Sequence, residues 1–125
     1  MNLDPKNQLT VTQAAVPAAR TATVTGTGFD VSGYIGNITF VQATGTVSGT
    51  TPTLDGKIQD SADDSSYTDV TGATFTQVTA STNIQSVNVD TRSVRKYLRY
   101  VGTIAGTTPS FGTAVTAIGT KQVQP

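Results

Sequence analysis

Apolar and polar residues alternate along most of this chain, and Gly, Pro, Ser or Asn interrupts the alternation every few residues. A period of two is the mark of a half-buried β-strand. It predicts a first strand over 20–25, with Ala22 and Val24 inward, and a short extended piece at Phe29-Asp30-Val31. A long strand follows over 37–47, with Ile38 and Phe40 on one face. Strands over 53–59 (Leu54, Ile58), 67–70, 73–79 (Phe75) and 83–89 (Val87, Val89) come next. A second long strand over 94–104 puts Val94, Leu98 and Tyr100 on one face and Arg95, Tyr97 and Arg99 on the other. Phe111, Val115 and Ala117 alternate along a closing strand over 111–118. No segment has helical apolar periodicity.

Ten residues occur twice. Gly45-Thr46-Val47-Ser48-Gly49-Thr50-Thr51-Pro52-Thr53-Leu54 returns as Gly102-Thr103-Ile104-Ala105-Gly106-Thr107-Thr108-Pro109-Ser110-Phe111. The local reading is strand, turn, strand. Gly49 and Gly106 supply positive φ, while Pro52 and Pro109 fix their own φ and hold the preceding Thr extended. One hairpin used twice is therefore expected, with Leu54 matching Phe111 and Val47 matching Ile104. Gly45 and Gly102, each in the strand before its turn, predict matched β-bulges.

At 125 residues the chain is one domain. Residues 1–19 read as an N-terminal arm, either frayed or ordered against a neighbour or its own domain's edge. Residues 20–120 form the β-domain and 121–125 a C-terminal tail. About eight antiparallel strands with short turns predict a two-sheet sandwich, a jelly roll first and an immunoglobulin-like sandwich as the alternative. Thr supplies about a fifth of the residues, and Glu, Cys, His and Trp are absent. Eight basic and eight acidic residues cancel. A neutral chain is not drawn to polyanions by its overall charge, and few charges favour association. No apolar run is long enough to span a membrane, and the first residues lack the layout of a signal peptide.

Catalytic chemistry finds little to work with. Without His or Cys there is no common general base and no thiol nucleophile, and no Gly-x-Ser-x-Gly elbow or phosphate-binding loop occurs. A non-enzymatic protein without a cofactor is expected. Asp60, Asp63 and Asp64, among serines, are the candidate metal ligands, since clustered carboxylates and hydroxyls suit calcium. The same residue types build ordinary hairpin tips, and the spacing is not that of an EF-hand. Arg95, Tyr97 and Arg99 are the candidate interface residues. A solvated or cross-strand-paired face ranks first for them, a protein interface second and nucleic acid last. Asn37-Ile38-Thr39 matches a glycosylation sequon but falls inside a predicted strand.

The stretch Leu54-Asp55-Gly56-Lys57-Ile58-Gln59-Asp60-Ser61-Ala62-Asp63-Asp64-Ser65-Ser66-Tyr67-Thr68-Asp69-Val70 resembles a pattern in small structural proteins of tailed bacteriophages. So does Val89-Asp90-Thr91 leading to Tyr97-Leu98-Arg99-Tyr100. Tyr67 stands where Trp is at least as frequent. The resemblance spans roughly residues 53–119 and points to head decoration (cement, or auxiliary) proteins. It implies a compact β domain, often trimeric, that binds the outside of a phage capsid and bridges major capsid subunits. No nucleic acid or membrane partner is expected. A tail-fibre or baseplate domain, or a carbohydrate-recognition sandwich, is the competing class. Stacking on sugars favours exposed aromatics, and four Tyr without Trp supply few.

Overall fold

A computed structural model describes residues 9–121. Seven antiparallel strands form one open sheet, with no helix among the described residues. They are β1 (Thr10–Arg20), β2 (Val24–Thr25), β3 (Phe29–Asp30), β4 (Tyr34–Ser61), β5 (Thr68–Thr74), β6 (Asn83–Asp90) and β7 (Tyr97–Lys121).

β4 and β7 dominate. They run for 28 and 25 residues, where an ordinary strand has about 5–6. They pair with each other almost end to end, from Tyr34 opposite Lys121 to Ser61 opposite Tyr97. Midway, Thr50 faces Thr107, so the two copies of the repeated segment lie against one another. The expected pair of hairpins is therefore replaced by two corners in one long ribbon. Each copy's arms pair with the other copy's arms, as in Val47 opposite Phe111 and Leu54 opposite Ile104. A tight hairpin turn of the I′ type needs two adjacent residues at positive φ. Here Gly49 (φ 111°) and Thr51 (φ 47°) are separated by Thr50, and Gly106 (φ 121°) and Thr108 (φ 46°) by Thr107. The chain bends at each corner and does not reverse.

Thr51 and Thr108 are not extended before their prolines, as expected from sequence, but left-handed. For a β-branched residue this is an outlier that costs about 1–3 kcal/mol. The opposite corner holds it in place. A Cβ on Gly49 would lie 2.6 Å from the Thr108 carbonyl oxygen and 2.9 Å from Pro109 Cα. A Cβ on Gly106 would lie 2.8 Å from the Thr51 oxygen and 2.9 Å from Pro52 Cα. Each glycine is the socket for the other copy's Thr-Pro.

The duplication extends through the fold. The interval from Gly45 to Gly102 carries β1 onto β5, β2 with β3 onto β6, and β4 onto β7. The pairings follow the same exchange. β1 lies on the second arm of β7 as β5 lies on the second arm of β4. β2 and β3 lie on the first arm of β7 as β6 lies on the first arm of β4.

Inward residues of the two halves of the ribbon share one cluster: Ile38, Phe40, Val115 and Ala117 from one half with Ile58, Leu98 and Tyr100 from the other. Across it the Tyr100 hydroxyl donates to Gln42 Oε1 at 2.5 Å, and both residues are fully buried. Phe75 meets the Tyr100 ring edge-on at 5.9 Å. A second, smaller cluster of Leu54, Val78 and Phe111, flanked by Val47 and Ile104, fills the inside of the corner. The predicted matching of Leu54 with Phe111 and of Val47 with Ile104 holds.

The matched bulges do not. The register of β4 against β7 slips between Thr44 and Val47, which is the bulge expected at Gly45. Gly102 stays in register opposite Gly56. It is glycine for another reason: a Cβ there would lie 2.7 Å from the Tyr100 hydroxyl and 3.1 Å from Leu54 Cδ1.

At the start of the described chain, residues 10–20 are β1, which runs along its own sheet's edge on β7. Much of the segment read as an arm thus lies in the sheet, while residues 1–8 fall outside the described residues. The strand expected over 20–25 shrinks to β2 at Val24–Thr25. Ala14-Ala15-Val16-Pro17 shows no clean alternation, and β1 accommodates it with register shifts around Ala15. Pro17 is tolerable because an edge strand has one unpaired side. Lys121 ends β7, and the remainder of the predicted tail lies outside the described residues.

Replacing Gly49 or Gly106 by Ala is expected to destabilise the fold by roughly 2–4 kcal/mol, combining a forbidden φ with backbone overlap. Thr51→Gly is expected to be neutral or stabilising by about 1 kcal/mol, because released strain exceeds the entropy glycine adds. Urea unfolding midpoints of the three variants check both signs.

Candidate functional site

The repeat splits the outer surface into two unlike faces. On the half built from the second arm of β4 and the first arm of β7, charged side chains cover the sheet. Lys57 pairs with Asp69 at 3.1 Å, and Gln59 donates to the same carboxylate at 2.8 Å. Arg99 donates from Nε to Gln59 Oε1 at 2.9 Å and lays its guanidinium over the Tyr67 ring, 4.0 Å from the centroid. The Tyr67 hydroxyl donates to Asp64.

Arg95 precedes β7 and so does not share a strand face with Tyr97 and Arg99. Its guanidinium instead binds Asp60, at 2.9 Å to Oδ1 and 2.9 Å to the main-chain oxygen. Its backbone N–H donates to the same carboxylate at 3.1 Å. Lys96 reaches Asp30 at 3.9 Å and sits 5.4 Å from the Tyr97 ring centroid. Arg95 and Arg99 are thus both engaged within the chain, Arg95 by Asp60 and Arg99 by Gln59 and the Tyr67 ring.

The three aspartates of the tip go separate ways. Asp60 is held by Arg95. Asp63 accepts from the Ser61 hydroxyl at 2.9 Å and from the Ser65 and Ser66 backbone N–H groups at 3.0 Å each. Asp64, at φ 60°, takes the Tyr67 hydroxyl. Among the described residues no group of three His, Cys, Asp or Glu side chains is placed to hold a metal ion. Asp63 serves as the hub of a turn.

These contacts set the ionisation of the face. Backbone N–H groups of Ser66 and Ser65, then the Ser61 hydroxyl, hold the Asp63 carboxyl below its usual range. The Gln59 amide and then Lys57 do the same for Asp69, and the backbone and side chain of Arg92 for Asp90. Hydrogen bonds from Ser32 lower Asp30, with Lys96 adding to the effect. Burial, and then the hydrogen bond to Asp64, pushes the Tyr67 hydroxyl up to about 12. Burial alone pushes Tyr100 up as well.

The other outer face was not legible from periodicity. It is built from β1, the second arm of β7, the first arm of β4 and β6. Its cross-strand rows run Val11–Ile118–Thr39–Asn88, then Gln13–Thr116–Val41–Ser86, then Ala114–Ala43–Ile84. None of these positions is charged. Ile84 and Val11 are 73% and 65% exposed. Charges resume at the rim, where Asp90 opposes Asn37 and is paired with Arg92 at 3.4 Å. The signal lies in the register, because the four strands are far apart in the chain.

Where β1 leaves its register, a cavity of about 120 Å³ opens between it and β2, lined by Ala14, Val16, Arg20, Val24 and Thr27 among others. Arg20 donates from Nη2 to the Val16 carbonyl oxygen at 2.6 Å.

No protein-family model matches the chain, and no curated protein matches it.

The pKa directions give a two-sided pH profile. The depressed carboxyls stabilise the fold fully above about pH 4 and lose that contribution as pH falls through their folded values. Tyr67 acts in the opposite sense, its contribution being present below about pH 10 and lost as pH rises towards 12. Unfolding midpoints measured across pH are therefore expected to be flat in between and to fall at both ends. Asp63→Asn is expected to make the acid limb shallower, with Asp30, Asp69 and Asp90 keeping the rest of it, and Tyr67→Phe to make the alkaline limb shallower, with Tyr100 still contributing. Unchanged limbs would show that these contacts are not made.

Proposed function

We propose that the chain is a non-enzymatic virion protein that decorates a tailed-bacteriophage head, binding the capsid exterior and bridging major capsid subunits. The observation that carries the reading is the unequal pair of sheet faces. Ionic groups on one are satisfied within the chain, and the other is a broad uncharged surface suited to lying on protein. The sequence resemblance over residues 53–119 supports the same class. The fold is then a sandwich of two four-stranded layers, nearer to a jelly roll than to an immunoglobulin domain. The sharing of one apolar cluster by both halves of the ribbon supports that description.

Such a protein works by mass action. It binds the assembled, expanded shell and not its precursors, so each bound copy stabilises the shell, and the shell's symmetry multiplies weak contacts. The resemblance implies a homo-oligomer, a trimer, and partners that are protein rather than nucleic acid or membrane. The arginines that could hold phosphates, Arg95 and Arg99, are occupied by Asp60, Gln59 and the Tyr67 ring.

The test is co-sedimentation of the purified protein with expanded, undecorated heads and, separately, with tail structures. Saturable binding to heads is expected, together with a raised temperature of head disruption. Binding to tails alone would replace this reading with a tail-fibre or baseplate module. A specific ligand on a glycan array would replace it with carbohydrate recognition.

A further inference from the structure

We propose that the cavity between β1 and β2 is a binding site for a carboxylate group, held by the Arg20 guanidinium. The first ground is an unanswered donor. Arg20 donates from Nη2 to the Val16 carbonyl oxygen at 2.6 Å, while its buried Nε–H meets no acceptor among the described residues. The other described arginines are all engaged by side chains: Arg92 by Asp90, Arg95 by Asp60, and Arg99 by Gln59 and the Tyr67 ring. A buried donor left without an acceptor is costly, more so on a charged group, and an anion answers both the donor and the charge.

The second ground is the duplication. Arg20 lies opposite Phe111, and in the other half Val78 lies opposite Leu54, the residue that matches Phe111. Directly opposed residues of an antiparallel pair share a face, and Phe111, Leu54 and Val78 are all buried. Arg20 therefore starts from an inward position that its counterpart fills with an aliphatic side chain. Valine meets the needs of packing there, so the guanidinium answers to something other than packing.

The third ground is the size and lining of the cavity. Gly26 lets the chain beyond β2 close directly on β1: its N–H donates to the Tyr100 carbonyl oxygen at 2.8 Å, and a Cβ on it would overlap the Ala14 carbonyl oxygen. The space left, about 120 Å³, is that of a few waters and takes a carboxylate on a short carbon stem. Arg20 is the one charged residue of the lining among the described residues. It matches a single negative charge and leaves a phosphate dianion half neutralised. Ala14, Val16 and Val24 give the stem an apolar wall, and Gln13 and Thr27 add polar groups. Arginine is the side chain whose planar fork fits a carboxylate. The carboxylate is either that of a small free acid or that of an acidic side chain on a protein partner.

Titration with sodium acetate in place of sodium chloride, at neutral pH and constant ionic strength, tests the proposal. Acetate is expected to shift the Ala15 and Gly26 amide resonances saturably, with a millimolar dissociation constant as suits so small a ligand. It is also expected to raise the unfolding midpoint. Arg20→Met, which keeps the length of the stem, is expected to lose both responses while still unfolding cooperatively in chloride. Arg20→Lys, which keeps the charge and loses the fork, is expected to bind at least about tenfold more weakly. Equal responses to acetate and chloride overturn the proposal, the cavity then holding water only. A response that survives Arg20→Met overturns it too, and if that variant does not fold, undiminished binding by Arg20→Lys does the same. Once acetate binds, expanded heads distinguish the two sources. Head binding that falls with saturating acetate and with Arg20→Met identifies an acidic side chain of the shell, and head binding indifferent to both identifies a free acid. Acetate binding without any head binding ends the decoration reading and leaves the carboxylate site standing.

Discussion

The fold depends on a reciprocal fit at one point. Gly49 leaves room for Thr108 and Pro109, and Gly106 leaves room for Thr51 and Pro52. Neither corner is comfortable by itself, since each holds a β-branched residue at positive φ. Set against each other, the two corners fix where β4 and β7 bend. The bend in turn decides that Ile38, Phe40 and Val115 meet Ile58, Leu98 and Tyr100. The two glycines do the work of a linker with almost no extra chain.

The two halves of the ribbon share one apolar cluster, and the sequence treats their outward faces differently despite the duplication. One carries Lys57, Asp69, Arg99, Tyr67 and Asp64 in a continuous set of contacts. Exposed ion pairs of this kind add little stability each. They do hold the surface in one arrangement and keep it hydrated. The other face, with Val11, Val41, Ile84 and Ile118, carries only uncharged polar side chains, threonine, serine, glutamine and asparagine, to keep it hydrated. The duplicated scaffold is thus asymmetric in its surface residues as well as in the bulge found at Gly45 and not at Gly102.

Much of this was readable in the chain. Alternation found the two long strands and the inward residues Ile38, Phe40, Leu54, Ile58, Leu98, Tyr100 and Phe111, because burial on one side of a strand leaves a period of two. The repeat was also found, with its matched pairs Leu54/Phe111 and Val47/Ile104. What failed was partner choice. A corner and a hairpin use the same Gly and Pro, and only the positions of the positive φ values separate them. Gly102 failed for a related reason, since a glycine required by the Tyr100 ring above it looks the same as one required by a bulge. β1 was missed because Ala14-Ala15-Val16-Pro17 has no alternation, and its place in the sheet comes from β7. For the site, Arg95 and Asp60 are 35 residues apart, and sequence supplied each but not their pairing. The uncharged face was invisible because its rows draw on four separate strands.

The near-identity of the two copies also sets how the chain can go wrong. A corner from one molecule presents to a second molecule the same Gly-Thr-Thr-Pro surface that it presents to its own twin. The long arms on either side carry compatible patterns in both. The information that makes β4 choose the β7 of its own chain is therefore mainly proximity, since the intramolecular partner is at high effective concentration. Crowded nascent or refolding chains lose that advantage, and exchange of whole halves between molecules becomes the natural misassembly of this architecture.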